Sequence, residues 1–188
     1  MILGRVILAR WRARRANKIL IGQIHGEIVA RARERELFEE FGVADDLDGR
    51  FEMVILHAGL VMRRLREFGA NGEAIAQDLF DWVFAQVDDA LREMAISDVG
   101  IAKRIKAMAE AFYGRNKAYG EALAARDMDA LAAALARNVF RELGDSSAAP
   151  ARALARRVVA LAGALEQVPI EAFAEGSFKF PKPAAGVP

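Results

Sequence analysis

Phe51-Glu52-Met53-Val54-Ile55-Leu56-His57-Ala58-Gly59-Leu60-Val61-Met62-Arg63-Arg64-Leu65-Arg66 is the stretch on which the fold turns. Phe51, Val54, Ile55, Ala58, Met62 and Leu65 recur at steps of three and four, which places them on one face of a helix. Arg63, Arg64 and Arg66 close it, where cations oppose the negative end of the helix dipole. Upstream, Gly42 stops a preceding helix, and Val43-Ala44-Asp45-Asp46-Leu47-Asp48 is a turn with three possible caps, of which Asp45 or Asp48 is expected to accept the free N–H groups of the new helix.

The pattern continues in both directions. Residues 18–40 read as a helix kinked near Gly22 and Gly26, preceded by a short amphipathic start over 2–9. Gly69-Ala70-Asn71-Gly72 reads as a loop. Residues 73–95 follow with Ile75, Leu79, Val83, Val87, Leu91 and Met94, widened by Phe80 and Phe84. Ser97 or Asp98 caps the next helix, striped by Val99, Ile105, Met108, Phe112, Tyr119 and Leu123. Helices over 128–143 and 151–166 complete the series around a loop at Gly144-Asp145-Ser146-Ser147. Alanine makes up about a fifth of the 188 residues, and no proline precedes Pro150. Such composition favours helix and excludes a loop-rich β protein. The expected fold is all-α, a single globular domain of six to eight helices, with 1–18 a basic N-terminal segment, 19–175 the helical body and 176–188 an extended, mobile tail.

The net charge of +1 conceals a division. Arg5, Arg10, Arg12, Arg14, Arg15 and Lys18 stand in a stretch without an acid, whereas residues 19–150 are strongly acidic. An acidic body repels phosphate backbones, so specific DNA binding is not expected. The basic end, with Trp11, reads either as a solvated helix end or as a contact for an anionic membrane or a ribosome. The longest uncharged run, Met53–Met62, is about half of a bilayer span, so no transmembrane segment is expected. The N-terminus lacks the apolar core of a secretory signal, and the expected location is cytoplasmic.

Catalytic patterns are missing. There is no Cys, and only His25 and His57 could supply imidazole. Neither stands in the Glu-x-x-His spacing of a di-iron bundle, because Glu52 precedes His57 by five residues and Glu27 follows His25 by two. Asp88-Asp89 with Glu93 lacks the spacing and the second cluster of a magnesium motif. Phosphate loops and nucleophile elbows are absent. The expectation is a protein that is not an enzyme and has no metal or cofactor. Asp78, Asp81 and Asp88 form an acidic stripe on one side of their helix, suited to cationic partners.

Three blocks carry a resemblance. The first runs from Gly42 through Asp45-Asp46-Leu47-Asp48-Gly49-Arg50-Phe51-Glu52-Met53 to Leu56-His57, Leu60-Val61 and Arg64-Leu65. Next comes Gln77-Asp78-Leu79-Phe80-Asp81, continuing through Phe84 and Asp88 to Leu91-Arg92-Glu93-Met94. The last is Asp98-Val99-Gly100, Lys103-Arg104, Met108 and Ala111-Phe112-Tyr113-Gly114-Arg115. In this order, over roughly residues 24–124, they resemble the ubiquinol–cytochrome c chaperone family, assembly factors for cytochrome b of the bc1 complex. Ala44-Asp45-Asp46 stands where the family has Pro-Asp-Thr, and Ala95 where it has Gly.

The resemblance implies a non-enzymatic chaperone that binds newly made cytochrome b, on the inner face of the inner membrane. It also implies a possible ribosome contact, since mitochondrial members sit at the tunnel exit. The residues it brings forward for client or partner binding are Arg50, Phe51, His57, Arg63, Arg64, Phe80, Asp81, Phe84, Asp88, Arg92, Glu93, Lys103, Phe112, Tyr113 and Arg115. Met53, Met62, Met94 and Met108 join the aromatics as groove or core residues. Tyr113, polar-tipped and next to Gly114, is the aromatic best suited to face a partner. Asp88–Arg92, spaced i and i+4, also reads as an internal pair. A competing reading makes the protein a peripheral membrane adaptor docking through Arg5, Arg10, Trp11, Arg12, Arg14, Arg15 and Lys18.

Overall fold

The computed structural model describes residues 2–93, 97–141 and 149–182, with side chains from Asn17 onward. Among the described residues eight helices follow one another: α1 (Ile2–Ala32), α2 (Arg35–Glu39), α3 (Leu47–Arg66), α4 (Gly69–Glu93), α5 (Asp98–Ala125), α6 (Met128–Asn138), α7 (Ala149–Glu166) and α8 (Ile170–Ala174). The chain is all-α, as the periodicity requires.

Helix α3 is the axis. It packs against α1, α4, α5 and α7, and every residue from Ile55 to Met62 is buried. The apolar arc read from its spacing therefore understates it. Phe51 and Val54 are only half-buried, while Leu56, Leu60 and Val61, off that arc, are buried. A helix surrounded by neighbours needs apolar residues on all sides, which the Met53–Met62 run supplies. Its N-cap is Asp46, whose side chain accepts from the Gly49 N–H at 2.7 Å, in place of the expected Asp45 or Asp48. Asp45 instead takes the Arg50 guanidinium at 2.6 Å.

Two glycines show why helices come so close here. A Cβ on Gly59 would lie 1.5 Å from Asn116 Oδ1 of α5, so that crossing admits no side chain. At Gly72 a Cβ would lie 1.9 Å from the Leu65 carbonyl oxygen. The latter corrects the expected loop at 69–72: these residues form the first turn of α4, pressed on the end of α3, and only Glu67 and Phe68 link the two helices.

Other boundaries shift for similar reasons. The kinked helix expected over 18–40 is instead α1, continuous from Ile2, followed by the separate α2; Gly22 lies within α1, where a Cβ would meet the Trp82 ring at 3.4 Å. Ser97 rather than Asp98 caps α5. Helix α6 ends at Asn138, and Val139 and Phe140 enter the core beyond it. The expected loop at 144–147, Met94 and Ala95 lie outside the described residues.

The reading of the stretch after Gly176 as a mobile tail is corrected for residues 177–182. They are not helical, but Phe178 and Phe180 are buried, and Phe178 stacks on Phe173 of α8 with centroids 4.6 Å apart. Two aromatics in six residues bury enough apolar area to hold the segment down.

Candidate functional site

Helices α4 and α5 bring an aromatic ladder to the surface. Phe112 is buried, Phe84 nearly so, Phe80 is half-buried, and Tyr113 is 50% exposed. Phe80 sits at the centre, with ring centroids 4.6 Å from Phe84, 5.3 Å from Phe112 and 5.1 Å from Tyr113. The inner rings belong to the core and the outer ones form a face. Gly114, next to Tyr113, has open space where a Cβ would stand. Such a face offers apolar area and a hydroxyl without disturbing the core beneath.

Beside it, α1 and α4 enclose a cleft of about 470 Å³ lined by Asn17, Lys18, Ile21, Asp78, Asp81 and Trp82. Asn17 donates to Asp78 at 2.6 Å and Gln77 to Asp81 at 2.9 Å. Part of the acidic stripe thus has neutral amides as partners, whereas Asp88 binds Arg92 at 2.7 Å.

A second cavity, of about 400 Å³, lies between the α3 N-terminus and the segment after α6, lined by Asp46, Asp48, Glu52, Phe140 and Arg141. Glu52 is buried and its carboxylate takes Arg115 at 2.8 Å, with Arg141 at 3.7 Å. Burial raises its pKa, and the two guanidinium groups oppose that rise. Arg141 bridges onward to Asp48 at 2.9 Å. Glu52 and Arg141 were not among the residues singled out from the sequence. A lone acid on an otherwise apolar helix face was the available signal for Glu52; Arg141 lies beyond the three blocks.

His57 is buried beneath the Phe180 ring, so it does not stand on the outer surface as a contact for a partner. Its Nδ1–H donates to the Met53 carbonyl at 2.7 Å, and its ring meets Phe180 edge-on at 5.5 Å. Burial, aided by the Arg157 and Arg31 charges, pushes its pKa down to about 4. Phe84 and Phe112 likewise serve as support beneath the face. Met53 and Met62 are core, and Met108 is half-buried.

Most of the charged candidates are held internally. Arg64 donates to the Val168 carbonyl at 2.9 Å, pairs with Glu67 at 2.7 Å and lies over the Phe68 ring. Arg63 reaches Glu67 and Glu166. Arg92 ties Asp88 to Asp98, joining α4 to α5. Arg50 pairs with Asp45, and Arg115 with Glu52. Phe51 packs partly on the core. Asp81, Glu93, Lys103 and Tyr113 are exposed. Lys18 is exposed on α1; the side chains of Arg5, Arg10, Trp11, Arg12, Arg14 and Arg15 lie outside the described ones.

Among the described residues no group of three or more His, Asp or Glu is placed to hold a metal ion, and no helix is long and apolar enough to cross a membrane.

A model of the ubiquinol-cytochrome C chaperone family matches residues 39–180. The match starts later than the resemblance read from the three blocks and extends through Phe180. A crystal structure of the Cbp3 homolog from Brucella abortus is similar over 96% of this chain and 98% of that one, with 36% identity and a TM-score of 0.82. No curated protein matches the chain.

Proposed function

The chain belongs to the ubiquinol–cytochrome c chaperone family, and on that premise we propose that it is a non-enzymatic assembly chaperone that binds newly made cytochrome b and supports assembly of the bc1 complex. The observation that carries the reading is the family match over residues 39–180. The α4–α5 aromatic face is the surface we assign to the client, because Tyr113 is a large aromatic left half-exposed over buried rings. A client rich in membrane segments presents apolar surface before insertion, and a half-exposed aromatic face can shield part of it. Asp81, Glu93 and Lys103 supply exposed charges for the client's polar loops.

In this reading the protein works on the cytoplasmic side of the inner membrane. Arg5, Arg10, Trp11, Arg12, Arg14, Arg15 and Lys18 give it a basic contact for anionic lipid or the ribosome, and they share α1 with the body. A photocrosslinker placed at Tyr113 tests the client assignment. The expected product contains cytochrome b, with none from the same probe at Val159, an exposed position on α7. Equal yields from both positions, or no cytochrome b from either, overturn the assigned surface. Unchanged bc1 levels in a deletion strain overturn the function itself.

A further inference from the structure

We propose that the groove beneath residues 177–182 is a binding site for an extended peptide of aromatic–basic–aromatic pattern, and that the chain's own Phe178-Lys179-Phe180 is its resident, displaceable occupant.

The way this segment is held supports the assignment. Helix α1 grips one residue of it by the backbone: the Phe180 N–H donates to Glu27 at 3.2 Å, and Arg31, one turn later, donates to the Phe180 carbonyl at 2.9 Å. Between the two rings, Lys179 reaches Glu27 at 2.7 Å. Phe178 and Phe180 are both buried. Alternate side chains filling pockets while the main chain is hydrogen-bonded is the way grooves recognise extended peptides. The clamp reads backbone at one residue, apolar rings at two, and positive charge between them. Pro181 holds Phe180 extended, and Gly176, at φ +73°, turns the chain from α8 into the groove.

The same geometry makes the occupant removable. Among the described residues, 177–182 make no backbone–backbone hydrogen bond to the rest of the fold. Under the Phe180 ring, His57 Nε2 is buried without a hydrogen-bond partner, as is Arg31 Nε. Orphaned buried polar atoms are costly, so the seated strap leaves part of its floor unsatisfied, which lowers the cost of lifting it. A short non-helical segment without a backbone ladder opens before the helical core does. The groove is built by α1, α3 and α8 rather than by α4 and α5, and the inference does not rest on the client assignment.

A labelled peptide, Glu-Gly-Ser-Phe-Lys-Phe-Pro-Lys, copies residues 175–182 and serves as the probe. In the full chain carrying Phe178→Ala and Phe180→Ala the groove loses its resident rings. The peptide is expected to bind this variant saturably and at least ten times more tightly than the unaltered chain. Replacing the peptide's Lys by Glu, or Glu27→Lys in the chain, is expected to abolish binding. A folded variant that ignores the peptide overturns the proposal. Hydrogen exchange on the unaltered chain provides a reading that needs no variant. The Phe180 amide is expected to exchange through local opening, well before the amides of α3; protection equal to α3 overturns the proposal.

Discussion

His57 makes the stability of this fold depend on pH in a window where few other groups titrate. Its imidazole is buried between α3, the Phe180 ring and the Arg31 and Arg157 charges, and its pKa lies at about 4 against 6.5 in the unfolded chain. The folded state therefore holds the neutral ring and binds fewer protons than the unfolded state. By linkage, the contribution is complete above pH 6.5 and is lost as pH falls towards 4. Between pH 7 and pH 5 these two values give a loss of about 2 kcal/mol from this residue alone. His25, also lowered by burial and by Arg33, adds a loss of the same sign. His57→Leu separates the two. It removes the titrating ring and the unpartnered Nε2, and keeps a similar volume, so at pH 7 its stability should stay within about 1.5 kcal/mol of the original. Urea unfolding followed by Trp82 fluorescence at pH 7 and pH 5 measures the difference. The variant should lose about 2 kcal/mol less than the original over that interval. Parallel losses in the two proteins would refute the buried neutral imidazole.

Other substitutions probe particular contacts. Gly59→Ala drives a methyl group into Asn116 and should cost about 1–3 kcal/mol in urea unfolding, with much of the loss recovered when Asn116→Ala is added. Arg115→Ala leaves Glu52 buried beside the longer Arg141 contact, and a loss of about 3 kcal/mol at pH 7 is expected, shrinking as pH falls and Glu52 takes a proton. Arg126 ends α5 at φ 54°, so Arg126→Gly should raise stability by about 1 kcal/mol; no gain in thermal unfolding would contradict the strain. Tyr113→Ala should shift stability by less than about 1.5 kcal/mol while lowering the yield of cytochrome b captured by the chaperone in a pull-down.

Much of the architecture is legible in the chain because helix period, caps and breakers are local properties. The helical runs over 51–66 and 73–93, a cap at Ser97 or Asp98 and the stop before Pro169 follow from residues a few places apart. The family blocks are local in the same sense, and the residues that form the aromatic ladder, Phe80, Phe84, Phe112 and Tyr113, all lie within them. What those rings do is not local. Spacing already sets Phe112 in the apolar stripe of α5 and leaves Tyr113 outside it; that Phe80 of α4 packs against both rings, burying the first and leaving the second half in water, comes only from the fold.

Charge follows the same division. The i, i+4 pair Asp88–Arg92 can be read directly, whereas Glu52–Arg115 and Glu34–Arg157 join residues 63 and 123 places apart. No spacing rule reaches that far. The last stretch makes the contrast plainest. Proline content says that residues 177–182 are not helical, and they are not. Whether they hang free depends on a surface made by α1, α3 and α8 together, with Glu27 and Arg31 turned to one side and Phe173 placed to stack on Phe178. The sequence by itself determined the helices and the kinship. Which residues face solvent, and whether a strap has a groove to fill, only the tertiary structure decided, because burial is a property of surfaces assembled from distant parts of the chain.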